Sequence, residues 1–222
     1  VPVEGVGEVQ GGDDVATLLV EAAGRDAFAD GDVVVIAHKV VSKAEGRVVD
    51  ATDRREAALG ESVRILRRSG ETLISETRHG FVCANAGVDA SNVEGDRVAL
   101  LPLDPDLSAR RIRTRIERLT GAGVAVIISD TFGRTWRVGQ TNVAIGVAGM
   151  DPFIDYRGTT DTHDKHLTAT RICVADEIAG AAELVMGKAQ GICAVIVRGG
   201  DVRFGPGRAT DIVRPHAEDL FR

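Results

Sequence analysis

Three uninterrupted apolar runs punctuate the chain, at Val33–Ala37, Val124–Ile128 and Ile192–Val197. Runs of this length without polar alternation predict strands buried on both faces. Helical periodicity fills much of the remainder. Asp13 or Asp14 caps a helix predicted from about Val15 to Phe28. Asp104-Pro105-Asp106 opens another to about Leu119, with Ala109, Ile112, Ile116 and Leu119 on one stripe, and Thr120-Gly121-Ala122-Gly123 ends it. A third helix is predicted over Arg54–Arg68, where Ala58, Ser62, Ile65 and Leu66 fall near one face, and a fourth over Leu167–Met186. Thr72–Ala84 alternates loosely around Gly80, which suggests a hairpin, and Arg97–Leu103 reads as a further strand. Strands and helices mix without strict alternation, so the pattern favours the α+β class over a simple doubly wound sheet.

The polar residues at the ends of the apolar runs are the first places to look for chemistry. His38–Arg47 follows the first run, Ser129-Asp130-Thr131 the second and Arg198-Gly199-Gly200 the third. Ligands commonly sit at the ends of buried strands. Asp130-Thr131 reads either as a divalent-cation site that bridges phosphate oxygens or as a turn or cap. Asp89 and Asn92, in the loop Asn85–Asn92, read either as an oxygen pair for a metal and a polar ligand or as an Asx-turn. Arg134, Arg137 and Gln140 surround the only tryptophan, Trp136, as a phosphate or carboxylate site or as a surface ion-pair cluster. Lys39 and Lys43 flank Ser42, reaching phosphates or solvent. His163 and His166, with Asp161 and Asp164, imitate a metal cluster but fit an exposed loop better. For Asp176-Glu177 salt bridging is the default. The Gly199–Gly207 segment reads as a loop that closes over a ligand or as a simple turn.

Composition narrows the classes. The 222 residues are 44% hydrophobic and 27% charged, enough for one sizeable core, or two small lobes sharing an interface, in a globular protein. Lys plus Arg is 27 against 33 Asp plus Glu, a net charge of −6, which argues against a sequence-independent nucleic-acid binder. Aromatic content of 4% argues against base-stacking platforms. No apolar run approaches the ~18 residues of a membrane span, and no signal peptide is visible at Val1-Pro2-Val3-Glu4-Gly5. Cys83, Cys173 and Cys193 are widely spaced with no CxxC pair, which fits reduced, buried thiols in a cytoplasmic protein. Walker A and dinucleotide glycine fingerprints are absent, so any nucleotide site is of a less common kind.

Several segments together carry a resemblance. They are Asp30-Gly31-Asp32-Val33-Val34-Val35, Lys39-Val40-Val41-Ser42-Lys43-Ala44-Glu45-Gly46-Arg47, Ala86–Val93 and Leu100-Leu101-Pro102. The longest is Ile128-Ser129-Asp130-Thr131-Phe132-Gly133-Arg134-Thr135-Trp136-Arg137, followed by Gly139-Gln140-Thr141 and Val143–Gly146. Tyr156-Arg157-Gly158, Ala175-Asp176-Glu177 and Gly187-Lys188 complete the set. In this order they resemble the coenzyme F-420-0:L-glutamate ligase family, the γ-glutamyl ligases of a deazaflavin coenzyme, and the N-terminal domain of its two-domain actinobacterial form. The resemblance spans nearly the whole chain and implies one ligase domain over residues 1–222.

The resemblance implies a mixed-sheet, two-lobed ligase fold in an intertwined homodimer. It also implies a GTP-dependent reaction. The terminal carboxylate of F-420-0 takes the γ-phosphoryl group of GTP, and the amine of L-glutamate attacks the acyl phosphate. Further γ-linked glutamates are added to F-420-1 and longer forms. Such chemistry needs cation-stabilised phosphoryl transfer and exclusion of water, with no protein nucleophile. By the same resemblance Asp89, Asp130 and Thr131 are ligands of Mg2+ or Mn2+, K+ is a further cation, and Arg134 joins Asp89 and Asp130 in catalysis. GTP contacts are implied for Val6, Gly7, Glu8 and Val9, for His38, Lys43 and Asn92, and for Met186, Gly187, Lys188, Ala189, Gln190, Gly191, Ile192 and Cys193.

Three positions depart from the family pattern. A proline of its N-terminal motif is Gly7 here, a Ser or Gln is His38, and a metal-binding Gln of some relatives is Lys188. A protonated lysine cannot ligate a cation, so Lys188 is expected at a phosphate instead. Arg214–Arg222 resembles the junction before a flavin-dependent second domain, which fits either a standalone ligase or an excised domain. Two other readings compete with the ligase: a nucleotide-binding regulatory module without catalysis, and a metal-dependent phosphohydrolase.

Overall fold

The computed structural model describes residues 1–51, 53–93 and 95–220. Phe221 and Arg222, at the end of the junction-like segment, lie outside the described residues. The first half of the chain runs β1 (Pro2–Val3), α1 (Val15–Ala23), β2 (Val33–Ala37), α2 (His38–Ala44), β3 (Val48–Asp50), α3 (Arg54–Glu61), β4 (Ser62–Ser69), β5 (Thr72–Thr77), β6 (Val82–Ala84) and β7 (Arg97–Ala99). It continues with α4 (Pro105–Thr120), β8 (Ala125–Arg134), β9 (Arg137–Ala148), β10 (Ile154–Asp155), β11 (Arg171–Ile172), α5 (Val174–Met186) and β12 (Ala194–Val197).

All three apolar runs meet in one sheet of order β1-β12-β2-β8-β9, in which β2 and β8 are parallel and the other pairs antiparallel. This mixed sheet with flanking helices is the expected α+β class. Strand alternation explains why the runs carry no polar residue. Val34, Ile36, Val126, Ile128, Ala194 and Ile196 point to one side, where Leu19 of α1 and Ile112 and Ile116 of α4 cover them. Val33, Val35, Ala125, Ile127 and Val195 point to the other, against Ala175, Ile178, Ala179 and Ala182 of α5. Each central strand is thus sandwiched between helices, and polar residues on either face would be desolvated. A smaller cluster of Ala58, Leu73, Val88, Val98 and Leu100 ties α3 to the sheets β3-β7 and β4-β5-β6.

Several boundaries differ from the sequence reading. The helix expected over Arg54–Arg68 ends at Glu61, and Ser62–Ser69 is a strand paired with β5. Val63 and Ile65 are β-branched, and pairing with a partner strand overrides a marginal helical periodicity. The first helix stops at Ala23 because Gly24 takes φ +83°, and a 3-10 turn covers Arg25–Ala27. The helix expected from Leu167 begins at Val174, since Leu167 and Thr170 bond back to Gly158, Thr159 and Tyr156. Residues Leu100–Leu103 lie outside the strand expected there, which ends at Ala99. The Gly199–Gly207 segment packs on 149–152, with Gly205 N–H on the Gly149 carbonyl and Asp151 N–H on that of Arg203. It does not line the cavity described below.

Ser129-Asp130-Thr131 is not a strand terminus. β8 runs on to Arg134 because β9 pairs along its whole length, setting Asp130 opposite Val143 and Thr131 opposite Asn142. β2 stops at Ala37, opposite Ser129. Beyond that point β8 has lost its neighbour on one side, and its polar residues face a cleft where α2 starts. The expected ligand position at a strand end is therefore the end of β2.

Candidate active site

A cavity of about 1240 Å³ lies at this cleft. Strand β8 contributes Asp130 and Thr131, helix α2 His38, Lys39 and Lys43, and the loop after β6 contributes Asp89 and Asn92. Residues 6–9 and the segment after α5 close other sides.

The two carboxylates stand beside consecutive residues of α2, Lys39 and His38. Asp89 Oδ2 lies 2.9 Å from Lys39 Nζ, and Asp89 Oδ1 accepts the Ser91 N–H at 2.7 Å. This is the Asx-turn reading of Asp89, and the same residue lines the cavity. The backbone of Asp89 exchanges two hydrogen bonds with Ala99, and Arg54 donates to the Val88 carbonyl, which pins the loop. Burial works to raise the Asp89 pKa, but the Lys39 ammonium and the Ser91 amide outweigh it and hold the group below the ordinary carboxylate range. Asp130 Oδ1 accepts its neighbour's N–H from Thr131 at 2.7 Å and lies 3.2 Å from His38 Nε2. His38 is 2% exposed, and its Nδ1 lies 3.4 Å from Ser42 Oγ. Its Nε2 is not aligned as a hydrogen-bond donor to Asp130, so this buried atom has no hydrogen-bond partner among the described residues.

Thr131 lies in a ring of four side chains. Its hydroxyl donates to Asn142 Oδ1 at 2.6 Å and accepts from Lys188 Nζ at 2.6 Å. Lys188 also pairs with Glu183 Oε1 at 2.8 Å, and Asn142 Nδ2 donates to Glu183 Oε2 at 3.0 Å. Periodicity gave no hint of Asn142 or Glu183. The available signal was their register: Asn142 faces Thr131 across the hairpin, and Glu183 stands one helical turn before the end of α5.

The remaining expected residues divide. Val6, Gly7, Glu8, Val9, Met186, Gly187, Ala189, Gly191, Ile192 and Cys193 line the cavity, and Lys43 pairs with Glu8 across it. Asn92 also lines it, in a left-handed backbone conformation of φ +55° that asparagine tolerates. Gln190 is not part of the lining. Nor is Arg134, which sits at the exposed β8–β9 tip and donates to the carbonyls of Val138 and Gly139. Trp136 and Arg137 share that exposed tip, whereas Gln140 reaches the cavity. Asp176 accepts the Ala144 N–H at 2.8 Å in place of an ion pair, and burial raises its pKa. His163 and His166 lie on an exposed segment.

Asp89 and Asp130 are hard oxygen donors of the kind that hold Mg2+ or Mn2+ when substrate phosphates complete the shell. No group of three or more His, Cys, Asp or Glu suited to a metal assembles among the described residues. Both carboxylates face the cavity and carry the charge that draws a cation shared with a ligand, whereas Thr131 offers a neutral hydroxyl whose oxygen accepts from the Lys188 ammonium.

Residues 5–58 and 51–199 match the family model described as F420-0:Gamma-glutamyl ligase. The chain belongs to this γ-glutamyl ligase family. It is 44% identical to a coenzyme F420:L-glutamate ligase of Methanothermobacter thermautotrophicus, covering 100% of this chain and 98% of that protein. A protein of the same description from Methanocaldococcus jannaschii is 42% identical over 92% of this chain and 90% of its own length. Another, from Methanopyrus kandleri, is 43% identical over 100% and 96%. The γ-glutamyl ligase match runs through β2, α2, β8, β9 and α5, the elements that build the cavity. No helix among the described residues is long and apolar enough to cross a membrane.

Proposed function

We propose that this chain ligates L-glutamate to coenzyme F-420-0 at the expense of GTP, in the biosynthesis of coenzyme F-420. The observation that carries this reading is the convergence of Asp89 and Asp130, from separate loops and strands, on one cavity that Lys39, Lys43 and Lys188 also line. Its volume of about 1240 Å³ exceeds the several hundred Å³ typical of a single small-ligand site, which suits a nucleotide beside an acceptor. The curated relatives' description as coenzyme F420:L-glutamate ligases names the same acceptor and amino acid.

In this reading Asp89 and Asp130 hold Mg2+ or Mn2+, which supplies charge neutralisation at the transferring phosphoryl group. Lys43 and Lys188 are point charges for phosphate oxygens. Main-chain groups of 6–9 and 186–193 receive the rest of the nucleotide. Val6, Val9, Val88, Phe132 and Ile192 give the cavity an apolar wall that limits water at an acyl phosphate. No side chain need act as a nucleophile. The γ-phosphoryl group moves to the acceptor carboxylate, and the glutamate amine displaces phosphate to form the amide. Addition of further γ-linked glutamates, K+ dependence, a two-lobed homodimeric assembly and one ligase domain over the whole chain belong to the same proposal.

The test is incubation with GTP, Mn2+, potassium, L-glutamate and F-420-0, followed by mass spectrometry for products one glutamyl unit heavier. Product that requires all of GTP, divalent cation and glutamate is the expected result. GTP binding without glutamate addition would instead leave a regulatory module. Phosphate release independent of glutamate and acceptor would leave a phosphohydrolase.

A further inference from the structure

The Thr131 end of the cavity is already occupied by a positive charge. Lys188 Nζ lies 2.6 Å from Thr131 Oγ1 and 2.8 Å from Glu183 Oε1. The Thr131 hydroxyl proton is committed to Asn142 Oδ1, and Asn142 is fixed in turn by Glu183. All four side chains line the cavity. A divalent ion bound to Thr131 would sit about 2.0–2.6 Å from the hydroxyl oxygen. That is the space of the ammonium, which has no lone pair to offer a metal and repels one.

We infer that Lys188 takes the place of a cation at Thr131, so that the chain holds a single divalent ion per site, on Asp89 and Asp130, and completes the neutralisation of a triphosphate with its own ammonium. The inference rests on the nucleotide reading above and specifies its cation inventory. Glu183 is the positioning residue. It draws the ammonium to one side of the cavity, and through Asn142 it fixes which way the Thr131 hydroxyl points. Apart from Asp89, Asp130 and Glu183, the lining's acidic group among the described residues is Glu8, which is paired with Lys43.

The experiment counts Mn2+ on the full chain in the presence of the non-hydrolysable analogue guanosine 5′-(β,γ-imido)triphosphate, by electron paramagnetic resonance of free against bound Mn2+. One Mn2+ per chain is expected for the wild type and for Lys188→Arg, rising to two for Lys188→Gln, in which a neutral oxygen donor replaces the ammonium. The Lys188 side chain is 60% exposed, so these substitutions do not test the fold. Two Mn2+ in the wild type, or one in both the wild type and Lys188→Gln, would overturn the inference while leaving the nucleotide–metal reading intact. No Mn2+ on the wild type with the analogue bound would overturn both.

Discussion

Asp130 Oδ1 lies 3.2 Å from Nε2 of His38, a side chain only 2% exposed. The same oxygen accepts the Thr131 amide, which orients the carboxylate, and the imidazole packs beside it without an aligned hydrogen bond. His38→Ala removes the packed ring and opens a void beside Asp130, which frees the carboxylate to turn. Groups that orient metal-binding carboxylates are worth about 10–100-fold in metal affinity. A Mn2+ dissociation constant raised by about that factor is expected in a titration with the GTP analogue, with His38→Gln intermediate. Asp130→Asn goes further and is expected to lower glutamate addition on the order of 100-fold, with an unchanged circular-dichroism spectrum. Near-wild-type turnover in Asp130→Asn would exclude this carboxylate from the reaction.

The cysteines are expected to be poor nucleophiles. Burial pushes the thiols of Cys83 and Cys173 up to about 12, with added pressure from the negative charges of Asp130 and Asp176 respectively. Only the thiolate reacts, so both remain almost fully protonated at pH 8. Iodoacetamide treatment of the native protein at that pH, read by peptide mass spectrometry, should leave Cys83 and Cys173 largely unmodified, with full labelling only after unfolding. Rapid native labelling of either would contradict the burial that the fold gives them.

Asp32 at the start of β2 is fully buried and receives both guanidinium hydrogen bonds of Arg198 at 2.7 Å, as well as the Ala29 amide. Desolvation alone would raise its pKa, but these donors more than offset it and hold the group below the usual 3.8. A depressed carboxylate stabilises the fold above its unfolded-state pKa, and this contribution is lost as pH falls through the lower folded-state value. Asp32→Asn should therefore lower the melting temperature by several degrees at pH 7. The gap to wild type should narrow as pH falls below about 4. Thermal melts of both proteins across that range check the sign. A gap that widens on acidification would show that Asp32 does not act through its charge.

Gly146 in β9 sits against the first turn of α4. A methyl group there would lie 2.4 Å from the Pro105 carbonyl oxygen. Backbone on both sides leaves little freedom to yield, so Gly146→Ala is expected to cost about 1–3 kcal/mol, read as a lower urea midpoint at an unchanged slope. The same contact lets Asp106 reach the Val147 and Ala209 amides, both at 2.8 Å, so the substitution should also loosen the segment around Ala209 in hydrogen exchange.

Local residue patterns alone dictate the central strands and most of the helix starts. Val33–Ala37, Val124–Ile128 and Ile192–Val197 had to be buried on both faces, because desolvated apolar runs of that length have no exposed solution. Asp14 and Asp104 cap their helices through local hydrogen bonds to Thr17 and Leu107 that lie within three residues. Such signals are local and survive in any context. Tertiary structure decided the rest. Ser62–Ser69 is a strand only because β5 lies beside it, and Asp130 sits within a strand only because β9 pairs past the end of β2. Asp89 and Asp130 meet one cavity because His38 and Lys39, far from both in sequence, stand at the end of β2. The ammonium of Lys188 reaches Thr131 across a separation of 57 residues. Periodicity reports which face of an element is buried; it carries no information about which distant side chain completes a site, since that depends on how whole elements pack.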